Sequence, residues 1–273
     1  LDAVAGYDLM NEPNAFFSYE AELAEFYEQA LPEIRAAEAA AGAPPRLVFI
    51  EPSIVWNLAP HPLPDFAHDD QIVYAPHMYI EPDQFPLFYQ SAADDAALLG
   101  GAPVLIGEWG GDPRRAEDPS DSYFAEHKAF QDAYRFGATL WTWREACGDP
   151  HKAWDWRAGA IPHVWGEFDL DCATGSVHGV RQALVDELRR PMVRAAPGRL
   201  VQLESDAAAR MLVAAGEGAA PGTALVAFVP GGAPLPPIAS EGLAGFQTQP
   251  TPGGGTWLVA WTTGADWSLA VGP

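Results

Sequence analysis

The stretch Gly6-Tyr7-Asp8-Leu9-Met10-Asn11-Glu12-Pro13 is an apolar strand-like run that stops at a glutamate backed by a proline. A second run, Val104-Leu105-Ile106, stops the same way at Gly107-Glu108-Trp109-Gly110. Between and after them strands and helices alternate. Residues 19–41 are rich in Ala and Glu with apolar side chains at helical spacing, and Gly42 and Pro44-Pro45 end that helix. Arg46–Ile50 is a short buried strand closing at Glu51-Pro52, and Gln71–Tyr79 is the next strand. Residues 84–99 and 120–136 are helices, 138–143 is a strand, 144–171 a long loop, and 178–190 a further helix. Apolar strands without polar alternation, separated by helices, predict a parallel sheet with helices outside it.

Five strands precede residue 145, each with polar groups at its C-terminal end, where a (β/α)8 barrel gathers its reactive residues. A full barrel takes about 250 residues. Only residues 1–190 carry the alternating pattern, and the chain begins at Leu1 inside a strand. The expected fold is therefore α/β, a (β/α)8 TIM barrel represented by strands four to eight, with the first three βα units missing from this chain. Residues 191–198 read as a linker. From 199 to 273, short strands at Arg199–Glu204, Arg210–Ala215, Thr223–Val229, Thr256–Thr262 and Trp267–Val271 lie between Gly/Pro clusters, which predicts a small C-terminal all-β sandwich domain.

The net charge of −22 argues against nucleic acid and anionic membranes, both of which attract Lys and Arg. No apolar run reaches the roughly 18 residues of a membrane span. The charge suits a secreted protein acting on neutral sugars, and a start at Leu1 makes a missing signal peptide uninformative. Cys147 and Cys172 are the two cysteines. They are either buried thiols or one disulfide, and their place beside an irregular Trp-rich segment favours the disulfide.

Glu12 and Glu108 taken singly are solvated turn residues as readily as functional ones. Taken together, at the C-terminal ends of parallel strands, they form the carboxylate pair that hydrolyses a glycosidic bond, one protonating the leaving oxygen and the other attacking or activating water. His77 and Tyr79 stand two apart and share a face, so both can hydrogen-bond the glutamates and a sugar. Trp143 ends the last barrel strand, where an indole can support a sugar ring, and Trp141 competes for that place. Glu51-Pro52 repeats the strand-end pattern, but a third catalytic carboxylate is not needed, so Glu51 reads as structural or binding. The glycines around Glu108 read as room for substrate. Trp154, Trp156 and Trp165, on the loop after Trp143, are candidates for an apolar trough.

Leu9–Pro13, Pro76–Tyr79, Gly107–Gly110 and Leu140–Trp143 together resemble the strand-end signatures of glycoside hydrolase family 5, the cellulase-like retaining barrels. Trp143–His151 and Arg190–Ala196 resemble its endoglycoceramidase branch. The resemblance implies Glu12 as general acid/base, Glu108 as nucleophile, Asn11 as a contact to the 2-hydroxyl, and His77, Tyr79 and Trp143 as substrate-binding residues. It implies neither metal nor cofactor. The implied partner is a glycoside or glycolipid, acted on by a full-length protein that is monomeric. The implied reaction is double displacement that frees an intact glycan from a glycosphingolipid. The alternatives are a β-glucosidase or endo-β-glucanase of the same family, and a non-catalytic fragment that binds carbohydrate or lipid.

Overall fold

The computed structural model describes residues 4–14, 20–56, 62–66, 69–147, 165–232 and 234–272. The chain divides into two compact units, the first Leu1–Gly111 with Phe136–Thr142 and the second Asp112–Arg135 with Trp143–Pro273.

The first unit is a parallel α/β array. Its strands are β1 (Gly6–Asp8), β2 (Leu47–Ile50), β3 (Ile72–Tyr74), β4 (His77–Met78), β5 (Leu105–Trp109) and β6 (Gly137–Leu140). They pair in the orders β1-β2-β3 and β4-β5-β6, all parallel. A parallel bridge from Tyr74 to Val104 links the two sets. The single strand expected over 71–79 is interrupted at Ala75-Pro76, because Pro76 has no N–H to give to a ladder. Its carbonyl is still used, accepting from the Gly107 N–H at 3.0 Å. Among the described residues β1 and β6 each have one strand neighbour, so the array is open.

Helix α1 (Glu20–Ala40) packs Tyr27 and Leu31 against Val48, Ile50 and Ile72. Its far end is pinned by Arg35. That guanidinium bonds Asp69 at 2.7 Å, Glu38 at 2.8 Å and the Arg46 carbonyl at 2.9 Å. Helix α2 (Phe85–Leu98) buries Phe85 and Tyr89, and Tyr89 stacks on Phe136 at 5.8 Å just before β6.

The second unit contains α3 (Tyr123–Tyr134), the hairpin β7 (Phe168–Asp171) and β8 (Ser176–Val180), and α4 (Gln182–Leu188). Then come β9 (Met192–Ala195), β10 (Arg199–Asp206), β11 (Met211–Glu217), β12 (Ala224–Pro230), β13 (Ile238–Glu241), β14 (Leu243–Thr251), β15 (Gly255–Thr262) and β16 (Trp267–Val271). They build two four-stranded antiparallel sheets, β10-β11-β16-β13 and β14-β15-β12-β9. Alternate residues of β11, β12 and β15 are buried, and with β16 they supply a shared core of Leu212, Leu225, Leu258, Leu269 and Val271 among others. The stretch 191–198, read as a linker, carries β9, which joins the second sheet beside β12. The loop expected over 144–171 ends in β7, and β8 occupies the start of the helix expected over 178–190. Cys147 and Cys172 form a disulfide across 25 positions of sequence, as their placement suggested. The described residues contain no helix long and apolar enough to cross a membrane.

Candidate active site

Four groups from four strand ends of the first unit converge. Glu12 lies beyond β1, Glu51 directly follows β2, His77 opens β4, and Glu108 stands within β5. Pairing of β4 with β5 sets His77 opposite Glu108 in register. An oxygen of Glu12, an oxygen of Glu108 and a ring nitrogen of His77 all lie within 4.8 Å of one another.

The backbone at Glu12 is unusual. Its φ is +49°, a left-handed conformation that costs a non-glycine residue roughly 1–2 kcal/mol. The Glu12 N–H donates to Oε2 of Glu51, and a hydrogen bond to a charged group contributes about 1.5–3 kcal/mol, enough to hold that conformation. Glu51 is 2% exposed, and its own carbonyl accepts from the Tyr27 hydroxyl at 2.9 Å. The Ile54 N–H donates to the Pro13 carbonyl at 3.0 Å, tying the two strand ends a second time.

His77 sits between the carboxylates. Nδ1 is 3.0 Å from Glu12 Oε1 and 3.5 Å from Glu108 Oε2, while Nε2 meets Glu51 Oε1. Burial opposes a charge on this ring. Hydrogen bonds to Glu51 and Glu12, with the charges of Glu51 and Glu108, outweigh it and raise the ring to about 9. The charged ring is thereby favoured near neutral pH, with Nδ1 bonded to Glu12 and Nε2 paired with Glu51 as an ion pair.

Glu108 is held above the usual carboxylate range, chiefly by burial. The Tyr79 hydroxyl, donating to Oε2 at 2.6 Å, and the charged His77 pull it down, while Glu12 and Glu51 push it up. Gly107 makes this geometry possible. A Cβ there would stand 3.0 Å from two atoms of the His77 ring and 3.2 Å from the Ala75 carbonyl. At Gly110, with φ of +154°, a Cβ would meet the Trp141 carbonyl at 2.2 Å. The glycines around Glu108 thus admit neighbouring protein groups, which corrects their reading as space for substrate.

Glu12, His77 and Tyr79 border a cleft of about 350 Å³ whose walls include Ile54, Ile80 and Phe88. Asn11 is exposed beside Glu12. Trp143 belongs to the second unit, where it is 67% exposed and meets Phe168 edge-on at 5.6 Å. Trp154 and Trp156 lie outside the described residues. The sequence undervalued Glu51. Its strand-end Glu-Pro pattern matched that of Glu12, but nothing local indicated that one carboxylate would reach both the Glu12 backbone and His77.

The family model described as Cellulase (glycosyl hydrolase family 5) matches residues 2–147. A crystal structure of an endogalactoceramidase is similar over 98% of this chain and 58% of that one, with 30% identity and a TM-score of 0.73. Sterylglucosidase 1 of Cryptococcus neoformans matches 83% of this chain and 41% of its own at 12% identity and a TM-score of 0.55, which is a likeness of fold alone. The chain thus spans well under two thirds of the length of the structures it resembles. With the family model covering more than half of its residues, the chain belongs to glycosyl hydrolase family 5, a family of glycoside hydrolases with a TIM-barrel-like fold.

Proposed function

We propose that the chain carries the catalytic glutamates of a retaining glycosidase that frees an intact glycan from a glycosphingolipid. The observation that carries the reading is the approach of Glu12 and Glu108, whose nearest oxygens are within 4.8 Å. Carboxyl groups of a retaining pair stand about 5–5.5 Å apart, and those of an inverting pair about 6.5–9.5 Å, to leave room for water. Glu108 attacks the anomeric carbon and forms the glycosyl-enzyme bond while Glu12 gives its proton to the departing oxygen. Glu12 then takes a proton from the water that releases the sugar. Against the burial that raises Glu108, Tyr79 and the His77 ring favour the carboxylate that attack requires. Asn11 contacts the 2-hydroxyl.

The glycolipid assignment rests on the 30% identity to the endogalactoceramidase and on the motifs shared with that branch. On this reading residues 1–190 are the C-terminal part of a (β/α)8 barrel and residues 199–273 a β-sandwich domain. The Cys147–Cys172 disulfide supports a secreted protein. The test is release of lactose from a fluorescent lactosylceramide by the native protein and by Glu108→Gln. Release by the first and not the second supports the reading. Cleavage of an aryl β-glucoside without action on the lipid keeps the glycosidase and removes the lipid branch. Inactivity on both, in a folded protein extended to the length of its relatives, removes the enzyme.

A further inference from the structure

Glu51 is a buried carboxylate that the two-glutamate mechanism does not use. Its two oxygens have separate duties. Oε2 accepts from the Glu12 N–H and Oε1 faces Nε2 of His77, while the Tyr27 hydroxyl holds its carbonyl from α1. The Glu12 backbone and the His77 ring are the two supports of the Glu12 carboxyl, because His77 Nδ1 is the group that bonds Glu12 Oε1 at 3.0 Å. Both supports lead back to the same side chain.

We propose that Glu51 is the positioning residue of this site, holding the Glu12 backbone with one oxygen and the His77 ring with the other, and so setting where the Glu12 carboxyl stands beside Glu108. The inference rests on the reading of Glu12 and Glu108 as the reacting pair. Its chemistry follows from counting donors. Glu12 N–H donates to one oxygen and His77 Nε2 forms an ion pair with the other, and an ionised carboxylate can serve both. A glutamine of the same shape has one acceptor oxygen and one NH2 group. In Glu51→Gln the oxygen stays with the Glu12 N–H, the NH2 turns to Nε2, and Nε2 must give up its proton to accept. His77 becomes neutral, with its remaining proton on Nδ1 toward Glu12.

The groups that face His77 are Glu51 from the end of β2, Glu12 from the end of β1, Glu108 from β5, Tyr79 from beyond β4, and, by its charge, Asp8 on β1. Losing the His77 cation, 3.5 Å from Glu108, outweighs losing the weaker repulsion from Glu51. Glu108 therefore protonates at higher pH in the variant, and the acid limb of kcat/KM moves up.

The experiment is ¹⁵N NMR of the histidine rings across pH in the native chain, Glu51→Gln and Tyr27→Phe, together with pH profiles of β-glycoside cleavage. In the native chain His77 should keep both ring protons to about pH 8, and in Glu51→Gln it should lose one near neutrality. Activity of Glu51→Gln should fall 10- to 100-fold in kcat with KM little changed, and its acid limb should shift upward. Tyr27→Phe, which loosens the same backbone without touching the carboxylate, should leave the limb and the His77 charge in place. Identical His77 titration in the native chain and Glu51→Gln overturns the proposal. So does an unshifted limb, because a merely structural glutamate would lower stability and leave the profile alone. If Glu51→Gln does not fold, the native chain decides, since a His77 that titrates near 6.5 is not held by Glu51. If no β-glycoside is cleaved, the NMR arm still judges the positioning while the enzymatic reading fails.

Discussion

The Tyr79 hydroxyl donates a 2.6 Å hydrogen bond to Oε2 of Glu108, from a side chain that is 37% exposed at the mouth of the cleft. A phenol at that distance favours the ionised carboxylate over the protonated acid. Tyr79→Phe should lower kcat by about 10- to 100-fold, in keeping with the roughly 1.5–3 kcal/mol of a hydrogen bond to a charged group. It should also raise the pH at which Glu108 ionises. Kinetics across pH would show the acid limb moving upward, and an unmoved limb would falsify this account of Tyr79.

Glu108→Gln should separate activity from stability. Burial already holds Glu108 above the ordinary carboxylate range, so its charged form is disfavoured in the folded protein. A group with a raised folded pKa binds its proton more tightly when folded, and stability falls as pH rises through that value. Removing the charge should therefore abolish glycosidase turnover and raise the melting temperature near neutral pH. A melting temperature unchanged or lowered at pH 7 would contradict this.

His77 should dominate the alkaline side of the stability profile. Its folded value of about 9 exceeds its ordinary 6.5, so the stabilisation it brings is complete below 6.5 and is lost as pH rises through 9. The shift corresponds to at most about 3.5 kcal/mol, less what solvent screens. Denaturant melts at pH 6, 7.5 and 9 should show a decline in the native protein. The same series on His77→Gln should be nearly flat over that interval, and a parallel decline in both proteins would remove His77 as the cause.

Gly107→Ala tests the packing beside Glu108 without changing a polar group. The new methyl would stand 3.0 Å from the His77 ring, which cannot retreat from three carboxylates at once. Overpacking of this kind costs about 1–3 kcal/mol. Turnover should fall at least 10-fold in a protein that still melts cooperatively. Full activity in the alanine variant would show that the ring has room to move.

Reducing the Cys147–Cys172 bond should destabilise the second unit. Closing a loop across 25 positions restricts the unfolded chain by about 3–4 kcal/mol in the entropic account. Urea midpoints with and without reductant should differ accordingly, and coincident curves would show that the bond contributes nothing.

Much of the molecule was legible because its signals are local. Glu12 and Glu108 announce themselves where apolar runs stop at Asn-Glu-Pro and Gly-Glu-Trp-Gly. The helix over Glu20–Ala40 and the alternating strands Met211–Glu217, Ala224–Pro230 and Gly255–Thr262 carry their periodicity in adjacent residues. The strands that escaped notice lack that signal. Every residue of Ser176–Val180 is exposed, and Leu243–Thr251 is exposed along nearly its whole length, so neither has a buried face to write an apolar alternation.

What the sequence determined by itself was the strand–helix alternation up to residue 140 and the place of Glu12 and Glu108 where apolar runs stop, since each depends on neighbours along the chain. The tertiary structure alone decided the role of Glu51, the charge on His77 and the need for glycine at position 107. Those depend on the meeting of β1, β2, β4 and β5 at one end of a parallel array. Distances of about 3 Å between groups far apart in sequence set the hydrogen bonds and the proton affinities. No local pattern of residues encodes such a distance.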